Sequence, residues 1–213
     1  MTEYTKIPTI FLRDIEGTKK IVEGRYATPT VDFLKDLKWI WTEKVDGTNI
    51  RVHWDGHKVE FGGRTDAASI PAHLITRLVE LFGGEENAQM FEQIFGQRDV
   101  YLHGEGYGAK IQSGGDYTDG QSVDFILFDL QIEGNFQPRE SVEKCARDFG
   151  LKIVPVVGEG TLPEAVAYVK QHLNSTLGNG KHEMEGIVCR PAVELLDRCG
   201  NRVIVKIKWK DFK

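Results

Sequence analysis

The sequence predicts an α+β protein with mostly antiparallel sheets, and three observations lead there. Residues 48–54 (TNIRVHW) and 57–63 (HKVEFGG) are β-prone runs separated by Asp55-Gly56, a pair suited to the positive φ values of a type I′ hairpin turn. Residues 69–83 (SIPAHLITRLVELFG) set apolar side chains at helical spacing behind a Ser cap and before a Gly stop. Strand-like and helix-like runs then follow one another without the regular alternation that builds a parallel sheet.

The remaining elements follow in order. AQMFEQIFG reads as a second helix, and DVYLHGEGYG as a strand ending in a glycine-rich turn. Residues 113–122 (SGGDYTDGQS) have the composition of an exposed loop, whereas DFILFDLQI is apolar on both faces and so belongs in the middle of a sheet. PRESVEKCARDFG is a helix ending at Gly150, and KIVPVV a short strand. In TLPEAVAYVKQHL, Thr161 and Glu164 have capping-box spacing, with Pro163 in the first turn. EGIVCRP and RVIVKIKW close the chain as strands. No repeat or linker intervenes, so one domain over residues 1–213 is the organisation expected.

Composition narrows the class. A hydrophobic fraction of 40% and a charged fraction of 28% suit a folded globular protein. The N-terminus lacks a basic start followed by an apolar core, and no apolar run is long enough to span a bilayer, so a cytoplasmic protein without membrane contact is expected. Cys145, Cys189 and Cys199 show no CxxC spacing, and the six histidines are scattered, which argues against disulfides and an all-protein metal site. The net charge of −5 argues against nucleic-acid binding over the whole surface and leaves room for a local basic cleft.

Several residues stand out as chemical candidates. Lys44 lies in EKVDGTNIRV, just before the hairpin, as either a surface charge beside a turn or a nucleophile. The β period of two puts Lys206, Lys208 and Lys210 on one side of RVIVKIKWK, which suits a solvated face, a protected edge or an anion site. Glu185 begins an otherwise apolar strand. Glu105 sits between glycines in HGEGYG, where backbone comes close to a ligand or merely turns. The two phenylalanines of FILFDLQI are either core or a ligand platform, and Arg64 in GGRT suits a phosphate or a salt bridge.

Taken together and in this order, these residues resemble the motifs of the covalent nucleotidyltransferase superfamily, and within it the ATP-dependent nick-sealing RNA ligases. The lysine motif is Lys44-Val45-Asp46-Gly47-Thr48-Asn49, closed by the asparagine of those RNA ligases rather than the arginine usual in DNA ligases and capping guanylyltransferases. Arg64 follows the lysine by twenty positions, as in the second motif. Glu105 matches the ribose-binding carboxylate, Phe128 the adenine-stacking aromatic, Glu185 the acidic fourth motif, and Lys206 with Lys208 the paired lysines of the fifth. Asp46 follows the wider superfamily, where many nick-sealing RNA ligases carry histidine.

The resemblance implies an adenylyltransferase domain of two mostly antiparallel sheets flanked by helices, with the nucleotide between them. It implies that Lys44 attacks ATP to form lysyl-AMP, that AMP passes to an RNA 5′-phosphate, and that a 3′-hydroxyl then displaces AMP. Lys44, Glu185, Lys206 and Lys208 are the implied catalytic set, with Asn49, Arg64, Glu105 and Phe128 completing the nucleotide and phosphate contacts. Mg²⁺ or Mn²⁺ would be held by Glu185 together with the phosphates. Implied partners are RNA 3′-OH and 5′-phosphate ends, including a nicked duplex, for a monomer with no C-terminal accessory domain in the chain. A DNA ligase, a capping guanylyltransferase or a non-catalytic RNA-binding module of the same fold are the rivals.

Overall fold

The computed structural model describes residues 3–178 and 180–213. The chain divides into two compact units. One, called here the central unit, comprises Met1–Thr5 and Asp46–Val154; the other, the flanking unit, comprises Lys6–Val45 and Pro155–Lys213. The flanking unit opens with β1 (Phe11–Arg13), β2 (Ile21–Tyr26), α1 (Pro29–Leu34) and β3 (Trp39–Lys44). The central unit follows with β4 (Thr48–Trp54), β5 (Val59–Gly62), α2 (Ala72–Phe82), α3 (Gly84–Phe95), β6 (Val100–Gly108), β7 (Val123–Ile132), β8 (Asn135–Phe136), α4 (Arg139–Asp148) and β9 (Lys152–Ile153). The chain then returns to the flanking unit through β10 (Val156–Gly160), α5 (Leu162–Lys170), β11 (Gly186–Pro191) and β12 (Val205–Lys208).

In the central unit the strand order is β5-β4-β6-β7-β8, antiparallel throughout, with β9 added in parallel beside β7. Ile50, Val52 and Trp54 alternate onto one face of β4 and meet Leu74, Leu78 and Phe82, a stripe at four-residue spacing on α2. Phe91 and Phe95 of α3 and Val142, Cys145 and Ala146 of α4 complete that core. The opposite face of the same sheet carries the alternate residues, including Asn49, Arg51 and Glu105.

In the flanking unit the main sheet runs β10-β3-β11-β12, also antiparallel, and β1 and β2 form a separate ribbon. Trp39 and Trp41 of β3, Ile187 and Cys189 of β11, and Val205 and Ile207 of β12 pack against Leu162, Ala165, Val166 and Val169 of α5. The α5 start has the expected capping box, with Thr161 and Glu164 each bonding the other's backbone.

Local expectations were corrected at five places. The hairpin forms, but β4 and β5 are joined through four residues, because Asp55 Oδ1 accepts from both His57 N and Lys58 N and draws them into the turn. Ser69 does not cap α2; Pro71 holds that position without a side-chain bond. The 113–122 loop is not wholly exposed, since a short 3₁₀ turn at Gly114–Tyr117 buries Tyr117. KIVPVV is two short strands in different sheets, β9 and β10, and the chain changes unit between Val154 and Pro155. RVIVKIKW is ordered as β12 only over Val205–Lys208, after which Trp209–Phe212 turn into a 3₁₀ helix.

Candidate active site

The flanking unit gathers Lys44, Glu185, Lys206 and Lys208. Lys44 ends β3, opposite Gly186 of β11, which in turn lies opposite Lys208 of β12. Lys206 lies opposite Val188, one alternation further along. In an antiparallel sheet, residues directly opposite share a face, so all three lysines project from the side away from the α5 core. Gly186 puts no side chain between Lys44 and Lys208, and its site admits none, since a Cβ there would lie 2.1 Å from the Ile207 carbonyl oxygen. Glu185, one residue before β11, fills the space: Lys44 Nζ donates to Oε2 at 2.5 Å, and Lys208 Nζ pairs with Oε1.

The electrostatics follow from three ammonium groups set around one carboxylate. Glu185 is only 8% exposed; burial pushes its carboxyl up, but Lys44 and Lys208 outweigh that and hold it below the ordinary glutamate value. Lys206 has no such compensation in full. Burial first, then the neighbouring charges of Lys44 and Lys208, push its ammonium down to about 8 despite the opposing pull of Glu185. Lys210 stands apart from the cluster, exposed in the 3₁₀ turn after the strand.

Glu43, which the motif reading did not single out, is 1% exposed and points to the opposite face from Lys44. Its carboxylate accepts from Ser175 Oγ, and from Thr176 N at 3.0 Å and Thr176 Oγ1 at 2.7 Å. Ser175 N in turn donates to the His182 carbonyl and Met184 N to the Leu173 carbonyl, so Glu43 ties down the ladder that leads into Glu185. The signal was present in the sequence: Trp39, Trp41 and Glu43 share one period-two face.

The central unit carries the other expected residues. Asn49 on β4 lies directly opposite Glu105 on β6, and Glu105 opposite Ile126 on β7. Among the described residues, Asn49 Oδ1 is buried with no hydrogen-bond partner, a costly state for an amide that lacks one. Gly47 has to be glycine, because a Cβ would meet the Gly106 carbonyl oxygen at 2.3 Å and Glu105 Cγ at 2.8 Å. That close approach gives the Asp-Gly of the lysine motif a physical role.

Phe128 occupies an irregularity in β7. Gly104 pairs with Leu127 and His103 with Asp129, which leaves Phe128 as an extra residue in a β-bulge. The bulge shifts the alternation, so that Phe125 and Leu127 before it and Leu130 after it all reach the core. Phe128 is half-buried on the other side, edge-on to Tyr4 at 5.3 Å between ring centroids. Arg64 is exposed in the loop just past β5.

Antiparallel sheets flanked by helices thus carry a lysine that ends one strand, with a glutamate and two further lysines gathered around it. The family model for RNA ligase matches residues 37–208, and the chain belongs to that family. Its fold is that of Naegleria gruberi RNA ligase. One mutant of that enzyme, solved with ATP and Mn, is 17% identical with a TM-score of 0.68, covering 100% of this chain and 57% of that one. A second mutant, also with ATP and Mn, is 19% identical with a TM-score of 0.65, covering 97% and 62%. A mutant solved apo is 16% identical with a TM-score of 0.62, covering 86% of this chain and 52% of that chain. The chain thus spans little more than half the length of these ligases. No curated protein matches it by sequence.

Proposed function

We propose that the chain is the ATP-dependent adenylyltransferase domain of an RNA ligase, joining RNA 3′-OH and 5′-phosphate ends through lysyl-AMP and an adenylated 5′ end. The observation that carries this reading is the Lys44–Glu185 contact, flanked by Lys206 and Lys208. The Naegleria gruberi structures with ATP or AMP and Mn support the choice of nucleotide and of a divalent metal.

Lys44 Nζ has to lose a proton before it attacks. Three cations crowd one carboxylate, so loss of one proton from the group to solvent relieves like-charge repulsion, while Glu185 Oε2 holds Lys44 Nζ in place at 2.5 Å. The nitrogen lone pair then forms a bond to the α-phosphorus of ATP, and the bond to pyrophosphate breaks. Lys206 and Lys208 stabilise charge building on the phosphates. In the next two steps an RNA 5′-phosphate oxygen displaces Lys44 from the α-phosphorus, and a 3′-hydroxyl displaces AMP. Phe128 is assigned to stacking on adenine, Glu105 to the ribose hydroxyls, and Asn49 and Arg64 to the substrate phosphate. The orphaned Asn49 Oδ1 supports a ligand contact at that residue.

A divalent metal would be held by Glu185, the one carboxylate of the lysine cluster, together with phosphate oxygens of the bound nucleotide. When bound, it supplies Lewis-acid neutralisation of the phosphates. The free thiols Cys145, Cys189 and Cys199 fit a reducing compartment, which supports a cytoplasmic enzyme, and we take the working form to be a monomer. Incubation with a nicked RNA duplex, divalent metal and either ATP or GTP tests the reading. Sealing with ATP alone is expected; adduct formation with GTP would transfer the chain to the guanylyltransferases.

A further inference from the structure

Arg51 is a charge that the proposed mechanism leaves unused. It lies on β4 opposite Gly62 of β5 and His103 of β6, on the sheet face turned away from the core, and it is 0% exposed. Its Nε donates to the Gly63 carbonyl at 2.6 Å, and its Nη2 donates to Asp66 Oδ1 at 2.8 Å. Those two acceptors bracket Arg64. The loop that carries them has left β5 and closes a turn by donation from Ala68 N to the Thr65 carbonyl. At Gly63 the loop packs so tightly that a Cβ would lie 2.7 Å from that of Ala68.

Burying a guanidinium is expensive, and a buried ion pair often contributes no more stability than well-packed apolar side chains would. What such a pair does supply is fixed local geometry, since the planar fork of arginine holds two acceptors in a set orientation. Here that geometry is imposed on an exposed loop whose side chains Arg64 and Asp66 both face solvent. Without an anchor, such a loop would let Arg64 sample many positions, and ordering it at the moment of substrate binding would cost entropy.

We propose that Arg51 and Asp66 are positioning residues that clamp the backbone on both sides of Arg64, so that its guanidinium is already placed for the 5′-phosphate of the incoming RNA end. The proposal rests on the assignment of Arg64 to the substrate phosphate given above. Arg51 holds the loop from within the sheet, and Asp66 is the matching hook on the loop itself. The clamp acts on the sealing of RNA ends and has little bearing on lysine adenylation, because Arg64 is assigned to the RNA 5′-phosphate, which enters only after lysyl-AMP has formed.

Asp66 is the residue to alter, because its carboxylate is 66% exposed and its loss leaves the packed core intact. Asp66→Asn, Arg64→Ala and the double variant would be made in the full chain and compared for single-turnover joining of a preadenylated nicked RNA, for lysine adenylation and for melting temperature. A misplacement of about 1 Å can cost about 100-fold, so Asp66→Asn should slow joining about tenfold while adenylation changes less than about twofold. Arg64→Ala should slow joining by at least as much, and the double variant should be no slower than Arg64→Ala alone. Equal slowing by Asp66→Asn with and without Arg64, or no slowing at all, would overturn the clamp and leave the role of Arg64 standing. Normal joining by Arg64→Ala would overturn both.

Discussion

Replacing Lys206 with methionine separates the stability of the lysine cluster from its function. The substitution keeps the unbranched stem and removes the ammonium that burial, Lys44 and Lys208 push from 10.5 down to about 8. A lysine whose folded value lies below its unfolded one penalises the folded state fully below pH 8, and the penalty fades as pH rises from about 8 to 10.5. At full strength that difference is worth about 3 kcal/mol, which solvent screening of a partly exposed ammonium reduces to about 1–2 kcal/mol. Lys206→Met should therefore be more stable than the parent at pH 7, by about 2–8 °C in melting temperature for a chain of this length. The gain should shrink toward zero near pH 10.5. Urea titrations at pH 7 and pH 10 measure it. Adenylation should meanwhile fall by about 10²- to 10³-fold, the cost of one lost charge where negative charge develops. A Lys206→Met protein that is less stable than the parent at pH 7, with no pH dependence, would instead make Lys206 a stabilising partner of the cluster.

Three further outcomes are expected. Lys208→Met should destabilise by about 1–3 kcal/mol, because it strips one of two lysines from a buried carboxylate, and urea titration beside Lys206→Met should show opposite signs. Glu43→Gln should cost about 1–3 kcal/mol, since it turns an amide toward the hydroxyls of Ser175 and Thr176 and the amide of Thr176; chemical denaturation gives the value. Phe128→Ala should weaken ATP binding by about 1–3 kcal/mol, read by calorimetry, and unchanged affinity would exclude Phe128 from the adenine site.

The sequence revealed the elements better than their boundaries. The hairpin, α2, α3, α4 and α5 follow from apolar spacing and turn chemistry, and the Thr161 capping box was readable residue by residue. The turn after Trp54 was misjudged because the Asp55 side chain, rather than the Asp-Gly pair, sets its length. Period-two alternation placed Lys206 and Lys208 on one face of β12 correctly, but extended it to Lys210, where the strand has already become a 3₁₀ turn. The bulge at Phe128 was hidden in a run that is apolar on both faces, since an alternation that slips by one looks the same as no alternation at all. The clamp of Arg51 on the Arg64 loop could not be read either, because pairing of residues fifteen positions apart depends on how the β5 loop folds back.

Mapping the residue that carries AMP tests whether Lys44 is the nucleophile. The protein would be incubated with α-labelled ATP and Mg²⁺ or Mn²⁺, denatured, digested and sequenced by mass. A single acid-labile, base-stable adduct is expected on Lys44, absent from Lys44→Ala. An adduct on Lys206 or Lys208, or one that survives in Lys44→Ala, would contradict that expectation.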